Sequence, residues 1–248
     1  MTKITNLLAR AFMKASFMIE TPPSSQIDIT DEYINWLCFA NAGMLNRGNL
    51  YLVDFALRHL KSRSPMVEIG SFCGLSTNVL TYYKQKYGLK NRLITCDKWD
   101  FEIGESSPEA LDNLPVSFVD YKHFVRDSYL RNTDFFSACD LPYTVEVTSD
   151  DFFAQWQRGE TVQDVRGRTL QLGGGISFCY VDGNHSYEGA KRDYLNCDAF
   201  LECGGFILFD DSASEIFGVH KLMPEVLATG RYRCVAENPN HLFQRLDL

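Results

Sequence analysis

Four residues carry the strongest chemical suggestion in this chain. Asp182 and His185 stand in Tyr180-Val181-Asp182-Gly183-Asn184-His185, and Asp210 and Asp211 follow Phe209. Carboxylates brought together repel one another unless a cation or a proton-transfer task holds them. Their hard oxygens suit magnesium, which keeps waters that substrate oxygens can replace. An imidazole titrates near neutral pH and is the commonest general base. A second group lies upstream, where Glu68, Gly70 and Gly74 precede Asp97. Glycine at a turn lets the backbone approach a ligand, and the first N–H groups of the following helix are free to bind it. A carboxylate one strand later can accept hydrogen bonds from a ribose diol. The Gly-x-x-x-Gly spacing is not the dinucleotide fingerprint, and no Lys-Ser/Thr follows to make a phosphate loop.

Both groups must reach one edge of a sheet to act together. The apolar runs Ile176–Val181 and Gly205–Phe209 are too short for typical helices and read as buried strands. Tyr187–Glu202 between them has helical spacing, with Gly204-Gly205 as its stop. Such a βαβ unit delivers both strand ends to the same side, where open α/β sheets bind ligands. The strand at Met66–Ile69 runs into the glycine turn; Ser76–Tyr87 is helical and Arg92–Asp97 is a second strand. Tyr143–Val147 and helix Asp150–Gln157 follow, then a polar stretch over Arg158–Gly175. Beyond Asp211 come a helix near Val219–Ala228 and two strands, Arg231–Ala236 and His241–Leu246, flanking the turn Glu237-Asn238-Pro239-Asn240. Upstream, Asp31–Ala42, with Thr30 as its cap, and Leu50–Leu60 read as helices, preceded by an amphipathic helix in the first twenty residues and a break at Pro22-Pro23-Ser24-Ser25. Strands alternating with helices and closing on an antiparallel hairpin define a doubly wound α/β sheet with one reversed strand. Trp99–Leu141 is long for a connection and rich in aromatics. It could line an acceptor pocket beside Asp97, or form a helical cap with its own apolar core.

At 248 residues the chain is one large domain, or one domain with attachments. The formal charge of −8 argues against general nucleic-acid binding. Arg158, Arg166 and Arg168 read as a solvated loop or as contacts for an anionic substrate. The eight cysteines include no CxxC pair, which fits small buried hydrophobes in a reducing, cytoplasmic setting. Lys3, Arg10 and Lys14 interrupt the first apolar pattern, against a signal peptide or membrane span. Packing of that helix on the domain or on a second subunit, giving a homo-oligomer, is the expectation.

From Met66 to Leu248 the chain resembles the class I S-adenosylmethionine-dependent methyltransferases. Val67-Glu68-Ile69-Gly70-Ser71-Phe72-Cys73-Gly74 looks like their first motif, and the terminal hairpin like their reversed last strand. The resemblance implies a Rossmann-like seven-stranded sheet of order 3-2-1-4-5-7-6, strand seven antiparallel, in a domain over 65–248. Residues 1–64 are then an N-terminal helical extension, and 99–141 a cap or substrate-binding insertion. It implies S-adenosylmethionine as cofactor, contacted by Glu68, Gly70, Ser71, Gly74 and Asp182, with Asp97 on the ribose and Ser149 and Asp150 near the adenine. The Asp182 block is similar to the metal-dependent sugar O-methyltransferases of the macrocin and mycinamicin type and to cephalosporin-hydroxylase-like proteins. That likeness implies magnesium held by Asp182, Asp210 and Asp211, and His185 as general base acting on a hydroxyl of a small molecule or glycan. Some members place an Asp base where this chain has Asn184. Local roles stand beside these: His185 could cap the helix near Tyr187, Asp97 a helix, and Asp211 the segment after it. His59, His123, His220 and His241 receive no role. A cephalosporin-hydroxylase-like activity and a non-catalytic cofactor-binding protein are the alternatives.

Overall fold

The alternating apolar runs and helices resolve, in a computed structural model describing residues 27–100 and 117–247, into a seven-stranded sheet. The amphipathic helix of the first twenty residues, the break at Pro22-Pro23-Ser24-Ser25 and Phe101 lie outside the described residues. Helices α1 (Glu32–Ala40) and α2 (Gly48–His59) precede strand β1 (Met66–Ile69), helix α3 (Leu75–Lys86) and strand β2 (Leu93–Cys96). Helix α4 (Phe118–Phe136), β3 (Tyr143–Val145), α5 (Ser149–Arg158) and the short strands β4 (Thr161–Gln163) and β5 (Thr169–Gln171) follow. Then come β6 (Ile176–Val181), α6 (Tyr187–Asp198) and β7 (Leu201–Phe209). A 3-10 turn (Gly218–Leu222) leads into α7 (Met223–Ala228), β8 (Tyr232–Glu237) and β9 (His241–Arg245). The sheet order is β3-β2-β1-β6-β7-β9-β8, with β4 and β5 paired separately. Counting only the large sheet's strands, this is the order 3-2-1-4-5-7-6 expected from the resemblance, with β9 antiparallel to both neighbours.

Side chains alternate across the strands, as a two-residue period requires. Val67, Ile69, Ile94, Cys179, Val181 and Ile207 enter one core with Phe152 and Trp156 of α5 and Tyr194 of α6. Met66, Leu93, Phe178, Tyr180, Phe206 and Leu208 enter the other with α1, α2 and α3, which supply Ile34, Leu50, Val53 and Val79. Each fully buried aliphatic or aromatic side chain here contributes about 1.5–3 kcal/mol. Among the described residues no helix is long and apolar enough to cross a membrane.

Several local expectations change. Asp31, not Thr30, caps α1, its carboxylate accepting from the N–H groups of Tyr33 and Ile34. Gly204-Gly205 is not a helix stop: α6 ends at Asp198, and both glycines lie inside β7. The pairing of β6 with β7 slips between Ile176 and Phe178, and Gly204 takes φ +77 there. A Cβ on Gly205 would stand 2.8 Å from the Ser177 carbonyl oxygen, so glycine serves a close strand contact instead. The polar stretch after α5 holds the β4–β5 hairpin. In the aromatic insertion, Trp99, Val125 and Tyr129 pack with Cys73 as a small apolar core, whereas Phe124 and Phe135 are exposed.

Candidate active site

Register aligns the ends of the five parallel strands. Cys96 pairs with Val145 and with Ile69, Ile69 with Val181, and Val181 with Phe209. The residues that follow, Asp97, Gly70, Asp182 and Asp210, therefore emerge side by side. His241 pairs with Phe209 from the antiparallel strand and brings Asn240 to the same row.

The glycine turn occupies the middle. Gly70 has φ +79, and a Cβ there would lie 1.9 Å from the carbonyl oxygen of Asp182, so only glycine lets β1 and β6 close together. Gly74, with φ +87, begins α3 against Tyr129 and Thr133. The Cys73 carbonyl accepts from Asn41 (3.1 Å) and Asn132 (2.8 Å), which ties the turn to α4 and to the end of α1. Asp97 braces the turn from β2. Its Oδ2 accepts from the N–H groups of Ser71 (2.8 Å) and Phe72 (2.9 Å), and its Oδ1 from that of Trp99 (2.7 Å). Burial raises the Asp97 carboxyl, while these N–H groups oppose the rise. Glu68 is fully buried under the turn and pushed up to about 7, chiefly by burial. The hydroxyls of Thr77 and Ser76 hold its carboxyl against that rise, yet its Oε1 lacks a partner in hydrogen-bond geometry.

A cavity of about 150 Å³ opens beside the turn, lined by Gly70, Asp97, Ser149, Gly183, Asn184 and Asp193 among others. Ser149 lines this cavity together with Gly70 and Asp97. Asp150 does not line the cavity: its side chain is 57% exposed, 2.9 Å from Asn196 Nδ2 and 3.5 Å from Arg192 Nε.

The acidic end lies beyond β6 and β7. Asp182, His185 and Asp211 place ligand atoms within 4.8 Å of one another. The imidazole stands between the carboxylates, its Nε2 3.4 Å from Asp182 Oδ1 and its Nδ1 3.4 Å from Asp211 Oδ2. Phe217 meets it edge to face at 4.9 Å between ring centres. His185 is not the helix cap, because Ser186 accepts from Gly189 N–H and caps α6. Asn184 accepts from Ser186 N–H at 2.8 Å and so shapes the turn. Burial raises the Asp182 carboxyl well above the usual range, and the charges of Asp210 and Asp211 add to it. Asp211 is raised by burial and by Asp210, with His185 opposing.

Asp210 is buried. Its Oδ1 accepts from Asn49 (2.8 Å), Asn240 (2.6 Å) and Asp211 N–H (2.9 Å), and its Oδ2 from the Tyr180 hydroxyl (3.0 Å). Sequence reading missed Asn49, Tyr180, Asn240 and Asp193. The position of Asp193 on the first turns of the helix after Asp182 was the one available signal.

Fold, strand order and glycine turn define a class I S-adenosylmethionine-dependent methyltransferase architecture. The family model described as "Methyltransferase domain" matches residues 67–212, more than half of the chain, and the chain belongs to that family. None of the curated proteins matches it. Among solved structures, the O-methyltransferase TomG from Streptomyces achromogenes, in tomaymycin synthesis and bound to SAM, aligns over 100% of both chains at 13% identity and a TM-score of 0.54. The O-methyltransferase from Bacillus cereus with SAH shares 12% identity over 88% of this chain and 92% of its own, at a TM-score of 0.54. CalS11, a TDP-rhamnose 3'-O-methyltransferase of calicheamicin biosynthesis, shares 16% identity over 99% of this chain and 95% of its own, at a TM-score of 0.52. At these identities the likeness establishes the fold.

Proposed function

We propose that this chain transfers a methyl group from S-adenosylmethionine to a hydroxyl of a small molecule or sugar, with magnesium assistance and His185 as general base. The observation that carries the reading is the meeting, at one sheet edge, of the Gly70–Asp97 cavity with the Asp182–His185–Asp211 group. Known O-methyltransferases of this architecture, one of which acts on TDP-rhamnose, support the reaction class.

S-adenosylmethionine, when bound, supplies an electrophilic methyl group on a sulfonium. The residues present fit it. Gly70 lines the cavity beside Asp97, and Asp97 keeps acceptor capacity beyond its three N–H partners for a ribose diol. Glu68 Oε1 is a buried acceptor in want of a donor, suited to an ammonium group. Methyl transfer is a direct displacement, so the remaining task is to align the acceptor oxygen and remove its proton.

The acidic end fits a divalent cation, because burial, with mutual repulsion added to it, raises its carboxyls, and a cation would relieve the repulsion. Asp182 and Asp211 would hold it, with Asp210 contributing through Oδ2, which has a single donor. A cation there would supply the charge that lowers the pKa of an alcohol and orients it. His185 accepts the hydroxyl proton as the new C–O bond forms, and the flanking carboxylates stabilise the resulting imidazolium. Phe217 restrains the ring. The same arrangement favours a second, metal-free reading, in which the imidazolium alone neutralises Asp182 and Asp211.

Calorimetric titration with S-adenosylhomocysteine, then with magnesium or manganese, tests the proposal. One nucleoside site and one ion site, the latter lost in Asp182→Ala and Asp211→Ala, are expected. Absence of nucleoside binding would sink the methyltransferase reading, whereas nucleoside binding without an ion would leave the metal-free version.

A further inference from the structure

We propose that Asp193 of α6, rather than Asp150, recognises the 6-amino group of the cofactor's adenine. The inference rests on reading the cavity as the S-adenosylmethionine site. Two acids line that cavity, Asp97 at the end of β2 and Asp193 of α6. Gly183 also lines it, and a Cβ there would stand 2.8 Å from Asp193 Oδ2, so the absence of a side chain at Gly183 leaves the Asp193 carboxylate uncovered on that side. Asp150, on the first turn of α5, is exposed and held by Asn196 and Arg192, and it does not line the cavity.

Asp193 is only 3% exposed. Burial together with the Asp150 charge pushes its carboxyl up to about 6, with the neighbouring Ser149 hydroxyl opposing the rise. A carboxylate offers about four lone-pair sites, which gives Asp193 acceptor capacity toward the cavity it lines. Adenine presents its 6-amino donor on the edge away from the ribose. With Asp97 proposed for the ribose, an extended nucleoside directs that amino group away from Asp97, and Asp193 is the other carboxylate in the cavity lining. A hypoxanthine base puts a carbonyl oxygen at the same place and would oppose the carboxylate acceptor to acceptor. Loss of a hydrogen bond to a charged group, with the partner left buried, corresponds to roughly 10- to 100-fold in affinity.

The test compares S-adenosylhomocysteine with S-inosylhomocysteine by calorimetry at pH 8 on the full chain. Wild type should prefer the adenosyl compound by at least about 10-fold. Asp193→Asn, whose amide can turn its N–H₂ toward a carbonyl, should bring that ratio to within about 3-fold. Asp150→Asn should retain the wild-type ratio. A structural role for Asp193 would weaken both ligands equally and leave the ratio unchanged, which overturns the proposal. Should Asp193→Asn fail to fold, a wild-type ratio near one, or a ratio that collapses in Asp150→Asn, overturns it equally. Failure of wild type to bind either nucleoside would instead remove the cofactor reading on which the proposal stands.

Discussion

Asn49 and Asp210, 161 residues apart, meet inside the protein: Asn49 Nδ2 lies 2.8 Å from Asp210 Oδ1 and 2.9 Å from the Tyr180 hydroxyl. Helix α2 therefore supplies part of the floor beneath the acidic end, and its apolar residues join the sheet's own core. Asn49→Leu keeps the bulk of the side chain but strips both partners of a donor. A loss of about 2–4 kcal/mol is expected from urea unfolding, since a buried carboxylate is left short of a partner. A loss below about 0.5 kcal/mol would show that the donors already present, Asn240 and the Tyr180 hydroxyl, satisfy Asp210 without Asn49.

Gly70 allows a sharper steric contrast. The added Cβ of Gly70→Ala would enter the Asp182 backbone at 1.9 Å, whereas at Gly88, with φ +65, nothing lies within 4 Å. Gly88→Ala should cost only the left-handed backbone penalty, about 1–2 kcal/mol. Gly70→Ala must push β1 and β6 apart, and S-adenosylhomocysteine binding should fall by more than about 100-fold because near-perfect placement is lost. Similar affinities in the two variants would refute the cradle.

Asp97 has two tasks that one pair of substitutions separates. Asp97→Ala leaves the N–H groups of Ser71, Phe72 and Trp99 without their acceptor, so both melting temperature and nucleoside affinity should drop. Asp97→Asn retains one acceptor oxygen and should recover part of the stability, but not the charge-assisted bond to a ribose. A variant that melts earlier yet binds with unchanged affinity would confine Asp97 to bracing the turn.

His185→Ala should lower turnover by about 10²–10⁴-fold once an acceptor is in hand, the usual effect of removing a general base. Nucleoside affinity should stay within about 3-fold, because the imidazole contacts the acidic pair and Phe217 rather than the cavity wall. Equal losses in both quantities would make His185 a structural neighbour of the cofactor and not the base.

The strand ends were legible because a buried strand writes its period and its end into the sequence. Met66–Ile69, apolar but for Glu68, stops at Gly70, and the run Ile176–Val181 stops at Asp182. The partners of those ends were not legible. Asn240 reaches Asp210 only because β9 pairs with β7 in one register, and Asn49 only because α2 crosses that sheet. The β4–β5 hairpin was hidden for another reason: its strands are three residues each, and each turns a single apolar residue, Val162 or Leu170, toward the core. Gly204-Gly205 misled because glycines at a slipped strand register look, in one dimension, like a helix stop.

Glu68 predicts a pH dependence whose sign follows from its environment. Its carboxyl is carried from the ordinary 4.5 up to about 7, largely by burial. Below 4.5 folded and unfolded chains both hold the proton. Between 4.5 and about 7 the folded chain holds it while the unfolded chain does not, so this group's contribution to stability declines as pH rises through that window and is constant above it. The full effect is on the order of 3 kcal/mol. Glu68→Gln keeps an uncharged group of the same shape and removes the dependence. Relative to wild type, the variant should therefore gain stability between pH 5 and pH 8, as read by urea unfolding at both values. S-adenosylhomocysteine should offset part of that gain at pH 8, because its ammonium group would bind the ionised carboxylate of the wild type more strongly than the neutral amide oxygen of the variant. A difference between the two proteins that does not vary with pH would show that the buried carboxyl titrates alike in folded and unfolded chains.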